Sequence, residues 1–147
     1  MKRQFSCVIV GLLLSGCLVA RVDLRQALSK QLNNPSSALI DLNAIVPAGQ
    51  WDRFCVFGPY SGYREMVGLI GAEVFELRGS AIDRLEGVNL VVFLNRNIVV
   101  VSELVEEAEV GFYPGRACVT NATSSLEVRH DNDSPFGRWI WIQQSSR

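Results

Sequence analysis

The residues able to do chemistry in this 147-residue chain are few and scattered. Its single histidine, His130, is followed by Asp131 and Asp133. One imidazole and two nearby carboxylates fall short of a metal-ligand set, and no calcium-loop spacing follows them. A solvated loop is expected there, and no metal. Asp52, Arg53, Arg64 and Glu65 flank a run of aromatic residues, but two carboxylates perform acid–base work only when both reach one reacting centre. Four cysteines are present, none in a Cys-x-x-Cys redox pair, and there is no nucleophile elbow or phosphate-binding glycine loop. The expectation is a chain with no catalytic residues and no cofactor, and not an enzyme.

The cysteines acquire meaning from the N-terminus. Met1-Lys2-Arg3 is basic, and the uncharged run from Phe5 to Leu14 follows it. A helix needs about 20 apolar residues to span a bilayer, so this run is too short to cross. Its length and flanks fit the apolar region of a secretory signal. The next four residues, Leu14-Ser15-Gly16-Cys17, resemble the lipobox of bacterial lipoproteins: an apolar residue, two small ones and cysteine. The resemblance covers residues 1–17. It implies cleavage before Cys17, a diacylglyceryl group on the Cys17 thiol and a further acyl chain, such as palmitate, on the new amino group. One acyl chain holds a protein to a membrane only marginally, whereas two or more anchor it stably. An ordinary cleaved signal, with Cys17 incidental, and a buried apolar helix are the competing readings. Leu18 stands where an aspartate would resemble an inner-membrane retention signal, so the expected place is the outer membrane, facing the periplasm.

Cys7 lies in the signal and Cys17 is assigned to lipid, which leaves Cys55 and Cys118. An exported chain meets conditions in which disulfides form and persist. Parity and compartment together predict a Cys55–Cys118 bond, closing a separation of 63 residues; two buried thiols or a reactive site are the alternatives. The expected organisation is a signal peptide at 1–16, a lipidated N-terminus and short tether at 17–23, and one domain at 24–147.

Within that domain the apolar spacing from Val22 to Leu32 predicts a short helix stopped by Asn33-Asn34-Pro35. A strand is expected near 38–46 and a turn at 47–50. Trp51 to Phe57 reads as a strand, broken by Gly58-Pro59. Ser61 is placed to cap a helix ending at Gly71, with Glu65 one position too far along for a capping box. The β-branched runs 87–94 and 98–104, joined by Asn95-Arg96-Asn97, predict a hairpin at the centre of the sheet, because both are apolar on both faces. Phe112 opens a segment that returns through Arg116 to Val119. The segments 126–130 and 139–142 make a last hairpin across a polar loop at 131–137. The fold class is α+β: an antiparallel sheet of about five strands with one or two helices packed on one face.

Trp51-Asp52-Arg53 through Phe57-Gly58-Pro59-Tyr60 is similar to a block found in small exported bacterial proteins of unknown function, which run Trp-Asp, apolar strand, Gly-Pro-Tyr, helix and apolar hairpin. The resemblance spans Trp51 to Leu104 and implies a fold, not a chemistry. Two readings of the block remain. Trp51 and Tyr60 are packing anchors at the ends of a strand, or Trp51, Tyr60 and Tyr63 line a ligand pocket.

Charge narrows the partners. The full chain carries a net charge of −1, and loss of Lys2 and Arg3 with the signal leaves 12 basic against 15 acidic residues, a net −3. No basic patch for nucleic acid is expected. The acidic stretch Glu103, Glu106, Glu107 and Glu109 reads as a solvated face or as a surface for a basic partner. The sequence therefore leads to an expectation of a lipid-anchored envelope protein acting as a binding module, an inhibitor or assembly partner of another envelope protein. A small envelope hydrolase using Asp52 and Glu65, or a structural envelope component, are the alternatives.

Overall fold

The structure, a computed structural model, describes residues 22–130 and 137–143. The first helix, α1, spans Leu24–Leu32 and buries Leu24, Leu28 and Leu32. That i, i+4, i+8 spacing puts all three on one stripe. Asp23 caps α1, its Oδ1 accepting from the Gln26 N–H at 2.8 Å, and Pro35 just past the end prevents continuation.

Eight strands follow among the described residues. β1 is Leu39–Asp41 and β2 is Arg53–Phe57. After the second helix, α2 (Tyr63–Ile70), come short 3-10 turns at Phe75–Leu77 and Ala81–Arg84. Next are β3 (Val88–Asn95), β4 (Ile98–Glu106), β5 (Gly111–Tyr113), β6 (Arg116–Thr120), β7 (Ser125–His130) and β8 (Arg138–Trp141). They form two sheets of four strands, ordered β4-β3-β2-β6 and β1-β7-β8-β5. All pairs are antiparallel except β5 with β8.

The β4-β3-β2-β6 sheet is the middle layer. One of its faces carries Phe54, Val56, Val91 and Phe93 into a core shared with α1 and with Ile40, Leu126, Val128 and Ile140 of the other sheet. Its opposite face carries Cys55, Phe57, Leu90 and Val92 against Met66 and Ile70 of α2 and the turns after it. This sandwiching explains why β2 and β3 are apolar at successive positions. A strand covered on both faces has no reason to alternate.

Four expectations are corrected. The strands divide into two sheets rather than forming one of about five, because β1, β5, β7 and β8 pair among themselves in a second layer. The helices do not share a face: α1 packs in the core between the sheets and α2 on the far side of the middle layer. Of the long hairpin only β3 is internal. β4 is an edge strand with Ile98, Val100 and Leu104 exposed, and Val100 is the extra residue of a bulge, since Phe93 pairs with Val101 and Leu94 with Val99. The expected 38–46 strand shortens to β1, because the Asp41 Oδ1 accepts from the Asn43 N–H at 2.9 Å and starts a 3-10 turn at Leu42–Ala44.

The cap of α2 also shifts by one residue. Its N-cap is Gly62, not Ser61. Glu65 is therefore the third helical residue, and its Oε2 accepts from the Gly62 N–H at 2.9 Å. Ser61 is buried, its hydroxyl donating to the Gly58 carbonyl at 2.7 Å.

Cys55 and Cys118 are directly paired across β2 and β6 and form a disulfide, with Cα atoms 4.1 Å apart. The bond ties an internal strand to an edge strand, and Cys55 is wholly buried beneath α2.

Candidate functional site

The aromatic block does not assemble one pocket. Trp51 is 1% exposed and meets Phe93 edge-on at 5.4 Å. Its indole N–H donates to Asn43 Oδ1 at 3.2 Å, which satisfies the one polar atom it takes into the core. Tyr63 begins α2 and packs on the core at the opposite face of the middle sheet, where the Arg78 guanidinium lies 5.3 Å from its ring centre. Tyr60 is 56% exposed, at a φ of 61°, and its N–H donates to the Ile82 carbonyl. Trp51 is thus separated from the two tyrosines by the sheet itself.

The charged residues of the block hold the fold. Asp52 Oδ2 accepts from the Arg96 N–H at 2.7 Å. Arg53 donates to the Ile70 carbonyl at the end of α2 and, at 3.0 Å, to Asn97 Oδ1. Arg96 and Asn97 are the two turn residues of the β3–β4 hairpin, at φ of 50° and 64°, and a two-residue hairpin turn of this kind needs positive φ at both. Asp52 and Arg53 therefore fasten that turn from the neighbouring strand. Glu65 sits at the other end of β2, its Oε1 3.1 Å from Arg116 Nη1. The strand lies between Asp52 and Glu65, so they do not act on a common centre.

His130 ends β7 and pairs with Arg138 across to β8; Asp131 and Asp133 lie outside the described residues, as does Cys17. Among the described residues no group of three metal-ligating side chains comes together.

The acidic stretch is divided among several tasks. Glu103 Oε2 accepts from the Leu24 N–H at 2.8 Å and the Arg25 N–H at 3.3 Å, closing the first turn of α1. A carboxylate there also faces the positive end of the helix dipole. Glu109 Oε2 lies 3.6 Å from Arg25 Nε. Glu106 is exposed, and Glu107 is half-buried in the turn after β4.

Glu107 and Glu109 form one wall of a groove of about 580 Å³ that runs beside α1. The helix supplies the opposite wall, from Asp23 to Asn33, and Gly111 and Arg138 complete it. The groove's ends differ in charge. Asp23, at the start of α1, joins the carboxylates. Arg138 sits by the end of the helix, donating to the carbonyls of Asn34 (3.4 Å) and Ser37 (3.2 Å). Its volume lies in the range of ordinary small-ligand sites. The sequence signalled only part of it: the acidic stretch was legible, but nothing in the local pattern placed Arg138, more than 100 residues from Asn34 along the chain, beside the same helix.

A second feature lies on the outer face of the β1-β7-β8-β5 sheet. Tyr113 stacks on Trp141 at 4.4 Å, and Arg129, itself 3.0 Å from Glu127, lies 4.0 Å from the Trp141 ring centre. Because β5 and β7 lie on opposite sides of β8, Trp141 is held between the tyrosine and the guanidinium. This is a cross-strand ladder, and beside it is a smaller hollow of about 260 Å³.

No protein-family model matches the chain, and no match was found among curated proteins or solved structures.

Proposed function

We propose that the chain is a lipid-anchored protein of the bacterial cell envelope whose disulfide-stapled domain is a binding module, an inhibitor or assembly partner of another envelope component. The observation that carries this reading is the Cys55–Cys118 disulfide. It accounts for both cysteines of the domain and suits an oxidising compartment, leaving Cys17 of the lipobox-like Leu14-Ser15-Gly16-Cys17 as the lipid attachment site. The groove beside α1 supports a binding role, and α1 begins only seven residues after Cys17, so an anchored domain carries its groove close to the membrane. A target in the same narrow space is met at high effective concentration. The anchor points to the outer membrane, with the domain in the periplasm.

The anchor is tested by Cys17→Ser. Fractionation should show the variant released from membranes and its precursor uncleaved; an unchanged membrane fraction would sink the reading. The module is tested by immobilising the purified protein and passing envelope extract over it. A saturable partner, lost in competition with free protein, is expected. The hydrolase alternative requires Asp52 and Glu65 to work together, and their separation by β2 disfavours it. A deletion strain fully complemented by the Asp52→Asn, Glu65→Gln variant would dispose of it.

A further inference from the structure

The backbone groups of β4 face two ways. The Leu94 carbonyl accepts from the Asp52 N–H, next to β2. The polar groups of Leu94 therefore point to β2, and by alternation along β3 those of Asn89, Val91 and Phe93 point to β4. Their partners Val105, Glu103 and Val101 are bonded inward, and the Glu107 N–H donates to the Gly87 carbonyl in the same phase. Ser102, Leu104 and Glu106 are left with N–H and C=O directed out of the sheet. Among the described residues no strand lies on that side. All three residues are exposed, Leu104 by 40%. Sheet edges are commonly blunted by proline, by lysine or by a bulge. The stretch from Ser102 to Glu106 has neither residue, and the bulge at Val100 lies before it.

An open row of backbone donors and acceptors takes an added strand, and the side chains point to a second copy of β4. An antiparallel two-fold axis through Leu104 sets that residue against the partner's Leu104, Ser102 against the partner's Glu106 and Glu103 against the partner's Val105. Apolar meets apolar at the axis, and each Ser102 hydroxyl faces a carboxylate able to accept from it. Neighbouring registers fit less well. One centred on Glu103 opposes two carboxylates, which is destabilising. One centred on Ser102 brings Leu104 onto the Val100 bulge, where the ladder is interrupted. One centred on Val105 carries Ser102 past the end of the strand at Glu106. We infer that the protein forms a two-fold dimer through β4, in which two four-stranded middle sheets join into one of eight strands. The same patch serves both copies, so the interface closes on itself and does not propagate. This goes beyond the binding-module reading and stands or falls separately from the anchor.

The test is cysteine cross-linking of the full-length protein in detergent, oxidised with copper phenanthroline, the parent protein treated alike setting the background. Opposed residues of a bonded antiparallel pair have Cα atoms about 5.5 Å apart, within the range that a disulfide bridges. Leu104→Cys should yield a covalent dimer. Ile98→Cys should not, although Ile98 is 63% exposed: six residues from the axis at about 3.4 Å each, the two copies of it stand roughly 40 Å apart. Ser102→Cys and Glu106→Cys proteins should cross-link when mixed and not when alone. Sedimentation of the uncross-linked parent should show a dimer, its dissociation constant raised at least tenfold by Leu104→Lys and unchanged by Ile98→Lys. Unaltered thermal unfolding establishes that each variant is folded; if Leu104→Lys is not, the mixed Ser102→Cys and Glu106→Cys proteins decide. No cross-link at Leu104→Cys, or equal cross-linking at Ile98→Cys, overturns the inference. So does oxidation in whole cells that joins Leu104→Cys to a different protein and gives no self-dimer, which would assign the edge to another partner.

Discussion

The Glu103 carboxylate on β4 accepts the backbone N–H of Leu24, 79 positions earlier, at 2.8 Å. The first N–H groups of a helix have no partner within it, and here an edge strand of the middle sheet supplies one. A residue of the acidic stretch is thereby committed to joining α1 to that sheet. Replacing Glu103 with Ala removes an ionised acceptor from two backbone donors. Loss of a helix cap costs about 0.5–2 kcal/mol, and hydrogen bonds to charged groups stand at the upper end. Glu103→Ala should lower stability in urea by about 1–2 kcal/mol, whereas Glu106→Ala, an exposed neighbour, should change it by less than about 0.5 kcal/mol. Equal effects would show that the stretch acts through its overall charge rather than through this contact.

Asp52 makes a comparable link to the β3–β4 hairpin. Its Oδ2 accepts the Arg96 N–H, and its backbone N–H and carbonyl are also used, by Leu94 and Asn121. Asp52→Ala keeps the backbone bonds and loses the one to the turn. The expected cost is about 1–2 kcal/mol, with faster amide exchange at Arg96 than in the parent protein. Hydrogen exchange measured residue by residue checks this. Unchanged protection at Arg96 would mean the turn holds without the carboxylate.

Neither contact could be read from the sequence, although two of the elements they join could. The long hairpin was readable because β-branched residues crowd both runs and the short segment between them holds asparagine, which tolerates positive φ. Helix α1 was readable from the spacing of Leu24, Leu28 and Leu32 and from Asn33-Asn34-Pro35. The second sheet was legible only in its β7–β8 hairpin, which the segments 126–130 and 139–142 announced. Its strands β1 and β5 have three residues each, too few for a period to show, and the parallel pairing of β5 with β8 is a long-range choice that no local pattern encodes. Trp51, Tyr60 and Tyr63 looked like one cluster because they are close in sequence, but a strand and a turn separate them onto different sides of a sheet. The groove failed to show for the opposite reason: its two charged ends come from distant parts of the chain and meet only because α1 lies between them.

The disulfide is expected to be a large single contributor to stability. Cys55 and Cys118 close a loop of 63 residues, which in the chain-entropy model restricts the unfolded chain by about 4 kcal/mol. Denaturant unfolding with and without reductant should differ by roughly that amount. A Cys55→Ala, Cys118→Ala variant should behave like the reduced protein and be insensitive to reductant. If reduction leaves the midpoint unchanged, the pairing of β2 with β6 is sustained by the two cores alone.

Two glycine substitutions should move stability in opposite directions. A Cβ added at Gly111 would stand 2.5 Å from the Trp139 ring, with two more ring atoms within 3.0 Å. The indole is rigid and is packed over the glycine from the neighbouring strand, so either the ring or β5 must move. Overpacking of this kind costs about 1–3 kcal/mol, and displacement of Trp139 should alter tryptophan emission as well. Gly68 is exposed within α2, and a Cβ there meets nothing within 4 Å. Alanine at that position restricts the unfolded chain and should stabilise by about 0.5–1 kcal/mol with unchanged emission. Urea midpoints for Gly111→Ala and Gly68→Ala therefore lie on either side of the parent. A neutral Gly111→Ala would mean that β5 shifts freely against β8. Because Gly111 also lines the groove beside α1, that result would make the groove's shape adjustable rather than fixed by the sheet.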